Sequence, residues 1–530
     1  MYLSPRGNFF LRMSLLVVSL FAFPVKLPAQ ALPIRWEECL GGSSAEEAFS
    51  VHQTVDSGFV VAGYTGSSDG QVTGYHGGSD YWVVKTSATG ALQWEQCLGG
   101  SNAEVAKSMA QTFDKGYIVA GYSNSTDGQV TGNHGTWDYW VVKLDDTGGL
   151  AWENSYGGSA SDIATCVSQT SDSGYIVAGA SSSNDGDVSG NHGGGDFWVV
   201  KLSATGSIQW QNCYGSDSAD GATSIQQTIE GGYIVAGASK SIDGEVTGNH
   251  GQNDYWILKL SGTGAIEWEQ SYGGSGDDVA TSIQQTSDSG YIVAGSSNST
   301  DGDVTGNHGN EDIWVVKLSS SGSIQWERSL GGSNDDFGSS VQQTTDSGFV
   351  VCGTTFSNDP EVTGNHGMSD MWVVKLSATG TLQWENCYGG SNYDGAGSIQ
   401  QTFDSNFVVA GYTNSDDSEV TANMGGTDIW LVKLGDTLRT DTTGTDSTKA
   451  AVNKINSNAT VSYYPNPATT QLTVTSSAII DNMGVIDMTG QVVYRNTFHS
   501  TTAQCNIEDV PPGIYFVVVN GGISGKFRKE

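Results

Sequence analysis

The residues best equipped for chemistry lie in a glycine-rich loop that recurs along the chain. In one copy, Asp185-Gly-Asp-Val-Ser-Gly-Asn-His-Gly-Gly-Gly-Asp196 puts oxygen side chains at loop positions 1, 3, 5 and 12, with Gly190 at position 6. Asp185, Asp187, Ser189 and Asp196 therefore follow the order of a calcium loop, in which alternate oxygens converge on a hard cation and the glycine permits the bend. Asp301, Asp303, Thr305 and Asp312 repeat the spacing around Gly306. The order predicts two calcium sites. Departures are visible: position 12 is Asp rather than a bidentate Glu, position 3 is Gln71, Gln129, Glu245, Glu361 or Glu419 in other copies, Pro360 follows Asp359, and Ala422 replaces the glycine in the last. The competing reading is an Asp-Gly turn, a Thr-Gly turn and an Asp that caps the next strand by accepting from loop amides.

His76, His134, His192, His250, His308 and His366 sit in the same loops, with Met424 in the seventh. Zinc needs three or four ligands within about 2 Å of one point. Equivalent positions of separate units do not supply that, so these are expected to be structural. Trp137 falls inside a loop where other copies carry Ser, Gly, Asn or Glu, and is a candidate ligand-contacting aromatic, as is Tyr75. Carboxylate pairs such as Asp277-Asp278 and Asp335-Asp336 have the composition to flank a glycosidic bond. They are variants of one repeated loop, which weighs against catalysis.

What positions these loops is a repeat of 58 residues. Trp36, Trp94, Trp152, Trp210, Trp268, Trp326 and Trp384 mark it once, and Trp82, Trp140, Trp198, Trp256, Trp314, Trp372 and Trp430 mark it again. A fixed period of this length means an array or a ring. The unit around Asp301 reads as four short strands: Thr281 to Thr286, Tyr291 to Gly295, Asp312 to Leu318 and Ser323 to Glu327, with turn residues between them. Call these strands A, B, C and D. Four antiparallel strands repeated seven times predict a seven-bladed β-propeller. The array opens on a lone D strand, Ile34 to Glu38, and ends on a C strand, Asp428 to Leu434. The count balances only if the first strand completes the last blade and shuts the ring, which also removes open edges. The short A–B and C–D turns then share one rim, and the long D–A and B–C loops share the other, acidic one. Function on such a scaffold is expected on the long loops. The tryptophans are expected to pack blade against blade.

The chain has 530 residues and a formal net charge of -35. A balance this acidic argues against nucleic acid, which needs clustered Lys and Arg. Residues 1–31 read as a signal peptide: Arg6 and Arg12, an apolar run from Met13 to Phe23, then Ala29-Gln30-Ala31 as a small-x-small cleavage site. That run is too short to span a bilayer, and no later segment predicts a transmembrane helix. Seven cysteines are present; Cys39, Cys97, Cys213 and Cys387 share one repeat slot with Ser155, Ser271 and Ser329, and are read as small half-buried residues, not a disulfide framework. The domains expected are the signal peptide 1–31, the propeller 32–434, a polar linker 435–460 and a C-terminal β domain 461–530.

That last domain resembles a known family. Tyr464-Pro-Asn-Pro-Ala468, Leu472-Thr-Val474, Val485 to Val493, Val510 to Val518 and Lys526-Phe-Arg-Lys529 resemble, in order, the type A C-terminal sorting domain of the type IX secretion system of Bacteroidota. The residues that carry the likeness include Tyr464, Pro465, Asn466, Pro467, Gly490, Gly513 and Tyr515. Phe527 and Arg528 depart from it, standing where β-branched residues are usual. The resemblance implies an Ig-like fold, the type IX secretion machinery as partner, and a final location on the cell surface or outside the cell. The repeats, with Gly290-Tyr-Ile-Val-Ala-Gly295 followed by Trp-Val-Val-Lys-Leu, are similar to propeller repeats of secreted proteins of the same bacteria. The function expected is a binding module for a glycan or surface protein through the acidic loop face, with no cofactor beyond calcium. A hydrolase of extracellular polymer and a purely structural surface component stay open.

Overall fold

The computed structural model describes residues 32–359, 361–435, 461–465, 467–486, 492–508, 510, 513–519 and 522–529. The signal peptide, the linker from 436 onward, Pro360, Asn466 and Gly490 lie outside the described residues. The remainder of the repeat is all β. Seven four-stranded antiparallel sheets follow one another, and the blade that closes the ring is ordered Ile34–Leu40, Asp428–Leu434, Phe407–Thr413, Asp394–Gln401. The first strand pairs with the last as the count requires, Cys39 opposite Trp430 and Leu40 opposite Ile429. The Gly435 amide donates to the Pro33 carbonyl at 3.0 Å, so the chain enters and leaves the ring side by side.

Strand C falls on the expected residues, Asp312–Leu318 in blade 5. Strand A starts earlier than its alternation suggests, at Asp278, with a bulge between Ala280 and Ser282. Strand D runs on to Leu330 and takes the Cys/Ser slot into the sheet. Both extensions have one cause. The first residue of strand A is an acid in every blade, and its buried carboxylate organises the loops on either side: Asp278 accepts from the Gly274 amide at 2.8 Å, from Ser299 Oγ at 2.9 Å and from Ser297 Oγ.

The tryptophans pack between blades. All seven in strand C are fully buried, and each indole N–H donates to a side chain on strand D of its own blade, as Trp314 does to Glu327 at 2.9 Å. Tyr255 packs on Trp314 of the next blade, centroids 4.7 Å apart, and donates its hydroxyl to the Trp314 carbonyl. The strand D tryptophans lie against the first aromatic of the following strand B, as Trp268 does against Tyr291. The strand C lysines are buried with their ammonium on the A–B turn, Lys317 with Asp288 at 3.0 Å and Lys375 with Asp346 at 3.1 Å. Only Lys259 uses a strand D glutamate, Glu267; in blade 4 Glu230 stands in the slot of the turn aspartate and accepts from Gln285 instead.

The C-terminal domain is one five-stranded sheet in which Gln471–Ile486 pairs with three neighbours. Register breaks along that strand, between Thr475 and Ile480 and beyond, let the sheet bend around a core of Leu472, Val474, Met483, Val485, Tyr515 and Phe527. Tyr515 is buried on Phe527, and Ala468 bridges Lys529, while Tyr464 is exposed. Gly513 begins a strand of this sheet. The domain touches the A–B rim of the propeller through Phe516 on Phe113, centroids 5.3 Å apart, and through Ile229. All seven cysteines are free, and among the described residues no helix is long and apolar enough to cross a membrane.

Deleting residues 32–40 strips one edge from the seventh blade and uncovers half of an inter-blade core. The expected result is loss of the folded monomer, read by size-exclusion chromatography and circular dichroism; a monomer with an unchanged melting temperature would contradict the closure.

Candidate ligand-binding mouth and blade junctions

The calcium spacing does not gather its oxygens. Asp301 accepts from the Ser275 amide at 2.7 Å and Asp185 from the Ser159 amide at 2.7 Å, each tying the B–C loop to the preceding D–A loop. Asp303 and Asp187 face the amides of Gly273 and Gly157. Ser189 accepts from Gln211 at 2.6 Å, and Thr305 donates to Glu327. Asp196 and Asp312 are buried and accept from the amide and the ring of His192 and His308. Among the described residues, neither set brings three acidic, His or Cys ligand atoms within 4.8 Å of one another. The Asp-Gly turn with a strand-capping Asp describes these loops, because each of these side chains is already hydrogen-bonded to a different neighbour.

The cap is also the histidines' role. In six blades His Nδ1 sits 2.7–2.9 Å from the Asp that opens strand C. Each of those Asp residues is fully buried and keeps a second oxygen, Oδ1, with no hydrogen-bond partner. In the seventh blade Asp428 does the same with Met424 in place of His. That free oxygen faces the acid opening strand A of the next blade. A Cβ on Gly99 would strike both Asp80 Oδ1 and Glu104 Oε2, and one on Gly389 would lie 2.7 Å from both Asp370 Oδ1 and Asp394 Oδ2. Glycine is required there because two carboxylates close over its Cα. The second member of each proposed catalytic pair, Asp278 and Asp336, is one of these buried strand A acids. In each pair one carboxylate is therefore buried and held by loop amides and hydroxyls.

The inner wall of the ring is nearly uniform on the A–B side. Serines 224 and 282 accept from the amides of Ile283 and Val341 one blade on, and Gln226, Gln342 and Gln400 accept from those of Gln285, Gln401 and Gln53. These bonds run around a cavity of about 370 Å³ that Ile486 and Phe516 of the tail help to line. His52, Ala110 and Ser168 stand where the other four blades have glutamine; burial pulls the His52 pKa down to about 4, so it is neutral. Cys166 replaces one serine, and burial raises its thiol pKa, which leaves no thiolate nucleophile.

Departures from the repeat concentrate at the other end of the channel, where strand A begins. Phe49 and Lys107 occupy a column that is Thr, Ser or Gly in the other five blades, and the Lys107 ammonium lies 3.6 Å from the Phe49 ring. Phe49 stacks on Tyr64, whose hydroxyl donates to Glu47. Burial chiefly raises the Glu47 pKa and lowers that of Lys107, and their mutual attraction opposes both shifts. Trp137 stands edge-on to Tyr122 at 5.1 Å, half-buried, and its carbonyl accepts from the Asp162 amide of the next blade. Across the mouth Phe337 and Tyr393 are exposed on either side of Phe356. Trp137 thus belongs to a wider aromatic wall. Tyr75 does not: its ring packs on the first blade's core and its hydroxyl donates to the Gly78 carbonyl at 2.7 Å. Comparing the seven units column by column, rather than loop by loop, exposes Phe49, Lys107, Phe337 and Tyr393 in the sequence.

Residues 462–529 match the family model described as the secretion system C-terminal sorting domain, and the tail is the type IX sorting domain its motifs indicate. No curated protein matches the sequence. Similar solved structures include PorZ, a bacterial surface component of the type-IX secretion system of Porphyromonas gingivalis (12% identity, 94% of this chain and 61% of that one, TM-score 0.38). BamB from Moraxella catarrhalis is 13% identical over 76% of this chain and 99% of its own, with TM-score 0.37. The Pan2 WD40 domain of Neurospora crassa is 10% identical over 76% and 97%, with TM-score 0.41. At these values the likeness carries nothing about a ligand.

Burial first, and Glu46 after it, push Asp428 up to about 6 against the pull of the Met424 amide. A raised folded-state pKa means that stability is greatest below the ordinary carboxylate range and falls as pH rises from about 4 to about 6. Asp428→Asn removes the buried charge. It should stabilise the ring at pH 8 by up to about 3 kcal/mol, with the gain vanishing toward pH 4. Denaturant titrations at the two pH values check this.

Proposed function

We propose that the protein is an exported binding module whose ligand, a surface glycan, lies across the channel mouth on the long-loop face. The observation that carries this is the gathering of repeat-breaking residues there. Fourteen tryptophans keep strict register to build the scaffold, whereas Trp137, Phe49, Phe337, Phe356 and Tyr393 break register within one zone. Flat aromatic faces beside carboxylates and a lysine fit a sugar ring, which offers apolar C–H faces and a rim of hydroxyls. A surface protein is the other occupant that a wall of this kind accepts. The acidic outer loops are occupied with their own amides and serve as the frame.

The tail supports the location. A sorting domain is read by the type IX machinery, and the propeller is its cargo, delivered to the cell surface or released. Deletion of 461–530 should leave the propeller in the periplasm; its normal appearance on the cell surface would refute this role.

Binding is tested with the full chain from residue 32 on a glycan array and on surface polysaccharide of the source cells. Trp137→Ala, Tyr393→Ala and Phe337→Ala each remove a partly exposed ring and should weaken binding about tenfold or more, in line with aromatic anchors at interfaces. Asp185→Asn, in the frame, should not. Failure to bind any glycan, or equal binding by all four variants, would overturn the glycan reading, and capture of an envelope protein by the unaltered chain alone would replace it.

A further inference from the structure

We propose that the junction of blades 1 and 2 is a zinc-class transition-metal site, with His76, Asp80 and Cys97 as its ligands. Strand pairing places Trp82 opposite Cys97 and so brings the D-strand slot beside the B–C loop. A ligand atom from each of the three residues then lies within 4.8 Å of the other two. Asp80 Oδ2 is 2.7 Å from His76 Nδ1 and 3.1 Å from Cys97 Sγ. Nitrogen, oxygen and sulfur donors together suit a tetrahedral zinc ion and not calcium. With bonds of 2.0–2.3 Å, donors around zinc stand roughly 3.3–3.7 Å apart, so the group needs only a small outward adjustment.

A second observation points the same way. As in the other six blades, the strand C aspartate keeps a buried oxygen without a hydrogen-bond partner, here Asp80 Oδ1, which turns toward the Glu104 carboxylate across Gly99. A cation bound by Asp80 relieves two acids that otherwise face each other in a dry junction. Access is from the loop face, where the His76 side chain is 32% exposed. Three bonds come from the protein, and the fourth position falls to water. On binding, the Cys97 thiol gives up its proton to solvent and the sulfur bonds the metal as thiolate.

The ring carries its own controls. Blades 2, 4 and 5 keep the His–Asp pair but have Ser155, Ser271 and Ser329 in the sulfur slot. Blades 3 and 6 carry Cys213 and Cys387, yet among the described residues only the blade 1 group gathers its donors this closely.

The experiment loads the chain from residue 32 with one equivalent of cobalt, then zinc. The expected result is a near-ultraviolet thiolate-to-cobalt band and one zinc retained per chain after desalting. Cys97→Ser, a residue this slot holds in three other blades and therefore one that folds, should abolish the band. It should also weaken zinc binding by more than about tenfold, the cost of disturbing even an outer-shell partner. His76→Asn should weaken zinc binding while the circular dichroism spectrum stays unchanged. Cys166→Ser should change nothing. No retained zinc, a band that survives Cys97→Ser, or a band lost only in Cys213→Ser or Cys387→Ser would overturn the assignment.

Discussion

No blade owns its hydrophobic core. Ile118, Ala120, Tyr139 and Val141 of the second blade pack with Val177, Trp198 and Val200 of the third, and the same sharing recurs around the ring. The last core joins Val408, Ala410, Ile429 and Leu431 to Leu40, Val51, Val61 and Trp82, across the point where the chain begins and ends its circuit. A single unit has two apolar faces and nothing to cover them, so one or two units alone leave much of their tryptophan surface in water. This is why the period is kept so strictly and why the ring must shut.

That constraint decides where the molecule is free to differ from itself. Residues inside the shared cores, and those that clamp the junctions, answer to two blades at once. The residue opening strand A is therefore an acid seven times, and the one opening strand C is Asp seven times. The columns at the channel mouth lie outside these shared cores and vary more from blade to blade. Aromatic rings, a lysine and a glutamate collect there, on blades 6, 7, 1 and 2, while blades 3 to 5 offer Ile163, Gly221, Val279, Ala180, Ala238 and Ser296 in the same columns. The junctions contribute polarity of a different kind: carboxyl groups held out of water beside each other, whose neutral partners are loop amides, hydroxyls, imidazoles and, in blade 1, the Cys97 thiol.

Architecture was legible because it is written in spacing. The two tryptophan registers give the blade count, and the lone strands at Ile34 and Asp428 give the closure. The tail was legible because its motifs are ordered and specific. Direction was not legible. Asp185, Asp187 and Asp196 have the order of a cation loop, yet order does not say which way an oxygen turns, and here each turns to a different amide. The strand C lysine meets the A–B turn aspartate 29 residues earlier in the chain, a pairing that spacing within strand C does not show. The meeting of His76 with Cys97 was hidden for the same reason. It depends on strands C and D pairing beneath a loop, and strand D had to extend three residues past its visible alternation before Cys97 reached the sheet.

The closing strand has a kinetic side. Ile34 meets Leu434, about 400 residues away, so the contact that completes the ring spans nearly its whole length. The entropy of bringing such distant ends together is about 5 kcal/mol on the logarithmic scale for flexible chains, and it falls as intervening blades form and shorten the gap. Six blades can therefore assemble in order of synthesis, each on its neighbour, while the seventh waits for a strand made first. Until then Ile34–Leu40 is a detached ribbon and Asp428–Leu434 an open template of the same kind. For a chain whose tail marks it for export, the arrangement ties completion of the ring to the meeting of its first and last strands.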